Sequence, residues 1–114
     1  MTIMMPVLFL SHGAPSLPLE AGETGAVWRQ LGAQLTRPSS ILVVSAHWET
    51  RIPTLSRAVK PETIHDFSGF PEELYRLQYP APGAPQMAEM AAQALREAGI
   101  PVQLDESHGL DHGA

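Results

Sequence analysis

Two short apolar runs set the tightest limits on what this chain can fold into. Ile41 to Val44 is apolar throughout and largely β-branched, and Val7 to Leu10 is apolar between Pro6 and Ser11-His12-Gly13. A four-residue apolar run bounded by turn residues reads as a strand buried on both faces, the pattern of parallel sheets. Between the two, Thr24 is placed to cap a helix through about Leu35, in which Val27, Trp28, Leu31 and Leu35 recur at the spacing of one helical face. Strand, helix, strand makes a βαβ unit, with parallel strands and a right-handed crossover.

The pattern then repeats across a long insertion. Residues 50 to 83 are rich in Pro, Gly and aromatics and read as loop, with a short helix over Glu72 to Arg76. Pro85 suits the first position of a second helix whose Met87, Met90, Ala91, Ala94, Leu95 and Ala98 form its apolar face, and Gly99 offers a left-handed cap. Pro101 to Leu104 is a third short strand. Three strands joined by helical crossovers predict an α/β fold, layered, with a largely parallel central sheet and flanking helices. The chain stops at Gly113-Ala114, directly after His112, with no polar tail, so it reads as an incomplete part of a larger domain.

Composition narrows the function classes. With 114 residues, 44% hydrophobic and 17% charged, the chain fits one globular unit. The net charge is −5 with Lys60 the sole lysine and the arginines scattered, which excludes nucleic acid and anionic membranes as partners. Cysteine is absent, so any metal must take His, Asp or Glu. The apolar N-terminus lacks a basic n-region, and no run approaches a membrane span; a cytoplasmic protein is expected.

Strand polarity gives the site. In open parallel sheets ligands bind outside the carboxyl ends of the strands. His12 lies two residues beyond Leu10, His47 three beyond Val44, and Ser107 to His112 follow Leu104. Three histidine-bearing segments thus leave one edge. A lone loop histidine is ordinarily structural or solvated, but His12 and His47 together, on rigid elements, are expected to be two ligands of one metal ion. A catalytic site needs a third ligand and an open position, from His65, His112, Glu49 or residues outside this chain. His112, between Gly109-Leu110-Asp111 and Gly113, has glycines that permit close backbone approach. His65 and Asp111 are candidate substrate-binding residues, His65 because its Asp66-Phe67 and Gly69-Phe70 neighbours make an aromatic loop. Trp48 beside His47 points to a walled pocket, and His108 is the weakest candidate, expected to be solvated. There is no GxGxxG, phosphate loop, nucleophile elbow or HExxH, so dinucleotide enzymes and serine hydrolases are disfavoured.

These motifs, in order, resemble the LigB-type class III extradiol ring-cleavage dioxygenases, specifically the DOPA 4,5-dioxygenase branch. The matching pieces are Leu-Phe-Leu-Ser-His-Gly-Ala-Pro at 8 to 15 and Val-Val-Ser-Ala-His-Trp at 43 to 48. Thr-Ile-His-Asp-Phe-Ser-Gly-Phe-Pro at 63 to 71, Tyr-Pro-Ala-Pro-Gly at 79 to 83 and Gly-Leu-Asp-His-Gly at 109 to 113 complete the set. The resemblance implies that residues 1–114 are the N-terminal portion of a single catalytic domain, with His12 and His47 as metal ligands and His112 as an acid or base near the substrate. It implies Fe(II) as cofactor, with Zn(II) as the alternative, and a remaining ligand beyond Ala114. The implied substrates are a DOPA-like catechol and O2, with a muconate semialdehyde as product. Such a reaction needs open metal positions beside the protein ligands, a lowered phenolic pKa at the metal and a proton acceptor that titrates near neutrality.

Two other readings use the same residues. One is a zinc-dependent hydrolase, since zinc on His ligands activates water. The other is a truncated, non-catalytic domain with a weak, open metal site. Missing crossovers would leave sheet edge and apolar face uncovered, which predicts self-association.

Overall fold

The computed structural model describes residues 4–114. In chain order its elements are α1 (Gly22–Gln34), β1 (Thr54–Ser56), α2 (Glu72–Arg76), α3 (Pro85–Glu97) and β2 (Gln103–Asp105). β1 and β2 pair in parallel with Thr54 opposite Gln103, Leu55 opposite Leu104 and Ser56 opposite Asp105. The chain between them carries α2 and α3, as a parallel pair requires. The fold is therefore α/β with a parallel sheet, as expected, but its strands are distributed differently along the chain.

Val7 to Leu10 and Ile41 to Val44 do not form strands. Val7, Phe9 and Val44 are more than nine-tenths exposed. A buried parallel strand needs hydrogen-bonded neighbours and cover on both faces, and among the described residues neither run has a strand partner. β1 instead arises inside the stretch read as loop, where three residues pair with β2. Their own pattern is too short to announce a strand, and the pairing is non-local. Pro101 to Leu104 was two residues early: β2 starts at Gln103.

α3 begins with Pro85 at its start, where a missing N–H costs nothing. It ends in the expected left-handed glycine. Gly99 has φ 80°, and Gly99 N–H and Ile100 N–H donate to Arg96 O and Leu95 O, each at 2.9 Å, a Schellman closure. The buried face is Ala88 and Ala92, with Met87 and Met90 exposed, so the expected methionine face is turned outward. Small alanines let α3 lie close on β1 and β2, which the methionines would hold away. α1 starts at Gly22 rather than at a Thr24 cap, with no side-chain cap bond, and its Val27 faces solvent. α2 buries Leu74, which is 1% exposed.

Beyond β2, residues 62–64 and 110 form a further parallel link. Thr63 and Leu110 are bridged, with Ile64 N–H donating to Leu110 O and Leu110 N–H to Glu62 O, both at 2.7 Å. Gly109 passes so close to the Glu62 carbonyl that no side chain fits there. Arg57 ties the end of β1 to α3 and to the turn after β2 through Glu89 and Glu106. The chain exposes 9015 Å² in all, against about 6,100 Å² for a compact protein of this mass. The excess agrees with its uncovered apolar runs. No helix among the described residues is long and apolar enough to cross a membrane.

Candidate metal and substrate site

The bridge at Thr63 and Leu110 sets two segments side by side, so Asp66 and His112 leave it together. Asp66 Oδ1 accepts from the His112 backbone N–H at 3.0 Å and from its ring Nδ1 at 2.7 Å. The second carboxylate oxygen lies 4.0 Å from His47 Nδ1. Burial raises the Asp66 carboxyl, but the hydrogen bonds from His112 and from its own backbone outweigh this and hold it below the usual carboxylate range. The His112 side chain is 14% exposed, and the edge of Phe67 meets its ring with centroids 5.7 Å apart.

His47 reaches the same place from the other side. Ser45 Oγ donates to Asp111 Oδ1 at 2.6 Å and accepts from the His47 backbone N–H at 3.1 Å. Asp111 Oδ1 also accepts from Gly113 N–H at 2.9 Å. A Cβ on Gly113 would stand 2.6 Å from His47 Cδ2 and 2.7 Å from Ser45 Oγ. The glycine therefore lets the His112 segment press against His47. His12 completes the group, and Gly13 directly after it, with φ 67°, turns the chain away from the apolar run.

One nitrogen from each of His12, His47 and His112 lies within 4.8 Å of the others, close enough to hold a metal ion. The His12 and His47 Nε2 atoms are 2.9 Å apart. Two imidazole nitrogens at about 2.1 Å from one ion and at right angles about it stand about 3.0 Å apart. The donor set therefore fits adjacent positions on one ion. The chain thus brings His12, His47 and His112 together, though not from strand ends.

The other candidates stand around this group. A cleft of about 380 Å³ opens beside it, lined by His12, Trp28, His65, Phe67, Tyr79 and His112 among others. His65 is in its wall rather than in the cluster, and its Nε2–H donates to Leu77 O at 2.8 Å. Asp111 also borders the cleft but is buried, its Oδ1 engaged by Ser45 and Gly113. Glu49 is exposed and outside the cluster. Trp48 does not wall the cleft; it stacks on His108, with centroids 3.9 Å apart and planes 6° from parallel. His108 is accordingly half-buried rather than solvated. The reading of the sequence missed Asp66 and Ser45 as organisers. The only local signal for Asp66 was its place between His65 and Phe67, which does not reveal a partner 46 residues away.

Residues 6–114 match the family model described as the catalytic LigB subunit of aromatic ring-opening dioxygenase. The chain belongs to the LigB family. Among relatives, this LigB chain is 50% identical over 111 residues to a protein of Escherichia coli K12 named 4,5-DOPA dioxygenase extradiol, covering 96% of this chain and 40% of that protein. It is 36% identical over 115 residues to a Mirabilis jalapa protein of the same name, covering 97% and 43%. To the dioxygenase tasH of Hapsidospora irregularis it is 40% identical over 123 residues, covering 96% and 38%. The chain spans about two fifths of the length of these relatives.

Proposed function

We infer that this chain carries the N-terminal part of an extradiol dioxygenase that opens the ring of DOPA-like catechols with O2. The observation that carries the reading is the convergence of His12, His47 and His112 at the mouth of an aromatic-lined cleft. The names of the relatives, 4,5-DOPA dioxygenase extradiol, support the substrate class. His12 and His47 would hold the ion through Nε2. A bound ion supplies positive charge that favours the phenolate form of the diol and open positions where diol and O2 meet. Fe(II) is our choice, since imidazole donors suit iron and zinc alike but only iron serves O2 chemistry.

The chain's own residues do the rest. Phe67, Tyr79 and the apolar wall hold a planar ring against the cluster and keep water from it. His112 Nε2, free because Nδ1 faces Asp66, accepts a phenolic proton and returns it as the ring opens. One carbon–carbon bond beside the diol breaks, and both atoms of O2 enter the product as aldehyde and carboxylate oxygens. The diol supplies the electrons, so no further reductant is needed.

The test uses the intact gene product, loaded anaerobically with Fe(II) and mixed with catechols in an oxygen electrode. One O2 is expected per catechol, and His12→Ala or His47→Ala should cost more metal affinity than the 10- to 100-fold typical of losing an outer partner. Hydrolysis by the zinc form with no oxygen uptake by the iron form would overturn the reading. The exposed apolar runs at Val7 to Leu10 and Ile41 to Val44 support self-association of the chain as it stands, with a second copy covering them. A single monomeric boundary in sedimentation velocity would exclude it.

A further inference from the structure

We propose that Asp66 is the positioning residue of His112: it fixes the ring's tautomer and direction so that Nε2 carries the free lone pair toward the bound diol. The proposal rests on the ring-opening reading for its chemistry but on separate geometry for its assignment. A carboxylate oxygen can only accept, so the 2.7 Å contact from His112 Nδ1 to Asp66 Oδ1 requires the proton on Nδ1. A neutral imidazole with Nδ1–H has its lone pair on Nε2.

The same oxygen also takes the His112 backbone N–H at 3.0 Å. Backbone and ring are thus clamped by one atom, which fixes the side chain's rotation as well as its protonation. Asp66 is held in turn by the parallel bridge at Thr63, and Phe67 meets the ring from its edge. The other carboxylate oxygen stands 4.0 Å from His47 Nδ1, beyond a hydrogen bond, so the direct partner is His112.

Asp66→Ala is the decisive variant. An Asn oxygen could still accept both His112 N–H groups at the same place, whereas Ala removes the acceptor and leaves the ring to the Nε2–H form that a free neutral imidazole favours. In the intact iron-loaded protein, kcat for a catechol should fall about 100-fold, in the range of losing general acid–base catalysis. KM should stay within about threefold and iron content should be unchanged. Asp66→Glu should recover part of the loss. Nitrogen NMR of the diamagnetic zinc form gives a readout apart from activity: His112 should carry its proton on Nδ1 in the wild type and on Nε2 in the Ala variant.

Wild-type His112 protonated on Nε2 would overturn the proposal, and this holds even where the Ala variant does not fold. So would an Ala variant that keeps kcat, or one whose whole defect is lost iron that added iron restores. If the wild type shows the Nδ1 proton and the variant loses it, yet no catechol is ever consumed, the positioning role stands and the ring-opening reading fails.

Discussion

Among the described residues, Ala58, Leu74, Ala88, Ala92 and Asp111 are buried and all lie in residues 54–114, where the β1–β2 pair, α3 and the bridge at Thr63 and Leu110 enclose them. Residues 4–50 bury only Gly25 and leave two apolar runs in solvent. Among the described residues one direct hydrogen bond joins the two regions, from Ser45 to Asp111. The later region packs on itself; the earlier one is held to it largely at the histidine cluster. The difference teaches that apolar character alone does not make a strand. Burial must come with backbone partners, and the later region supplies its own.

The comparison breaks if both regions respond alike to core damage. Leu74→Ala removes the most enclosed large side chain and should cost about 2–5 kcal/mol. Val44→Thr, at a residue 91% exposed, should shift stability by no more than about 0.5 kcal/mol. Denaturant titration of both variants checks this. A cost at Val44 comparable with that at Leu74 would mean that the Ile41 to Val44 run is covered in solution.

This contrast also explains what the sequence could reveal. Pro85 and Gly99 marked α3 because both act locally, one at the first helical turn and one through a positive φ. The α/β class followed from alternating apolar and helical periods. The positions of the strands did not, because Thr54–Ser56 becomes a strand only by meeting residues nearly fifty positions later. His12, His47 and His112 were legible as a group from their neighbours. Their supports were not: Asp66 and Ser45 are ordinary polar loop residues until the fold sets them beside His112 and Asp111. The buried face of α3 was misjudged for a related reason, since periodicity cannot tell whether a partner surface wants Met or Ala.

The link between the regions is the next point of attack. Ser45→Ala removes the hydroxyl that joins Asp111 to the His47 backbone, leaving a buried carboxylate with one partner fewer. A loss of about 1–3 kcal/mol is expected, with metal affinity falling roughly 10- to 100-fold as His47 loosens. Calorimetric metal titration alongside thermal melting separates the two effects. Loss of stability with metal affinity intact would show that the cluster holds the earlier region without help from Ser45.

The smallest effect concerns the later region alone and its response to acid. Asp105, at the end of β2, accepts the backbone N–H of Ser107 at 2.9 Å and of His108 at 2.7 Å. These bonds hold its carboxyl below the usual carboxylate range. A depressed folded value means that the unfolded chain binds the proton more readily. The stabilisation is therefore complete above the ordinary carboxylate pKa of about 3.9 and is lost as pH falls through the lower folded value. Tm measured from neutral pH down to about pH 2.5 should fall for the wild type and fall less for Asp105→Asn. The gap between them should be widest near neutrality and close in acid. Because Asp105 is solvent-accessible, the gap should be modest, and parallel curves across the whole range would show that the turn after β2 does not depend on the charge.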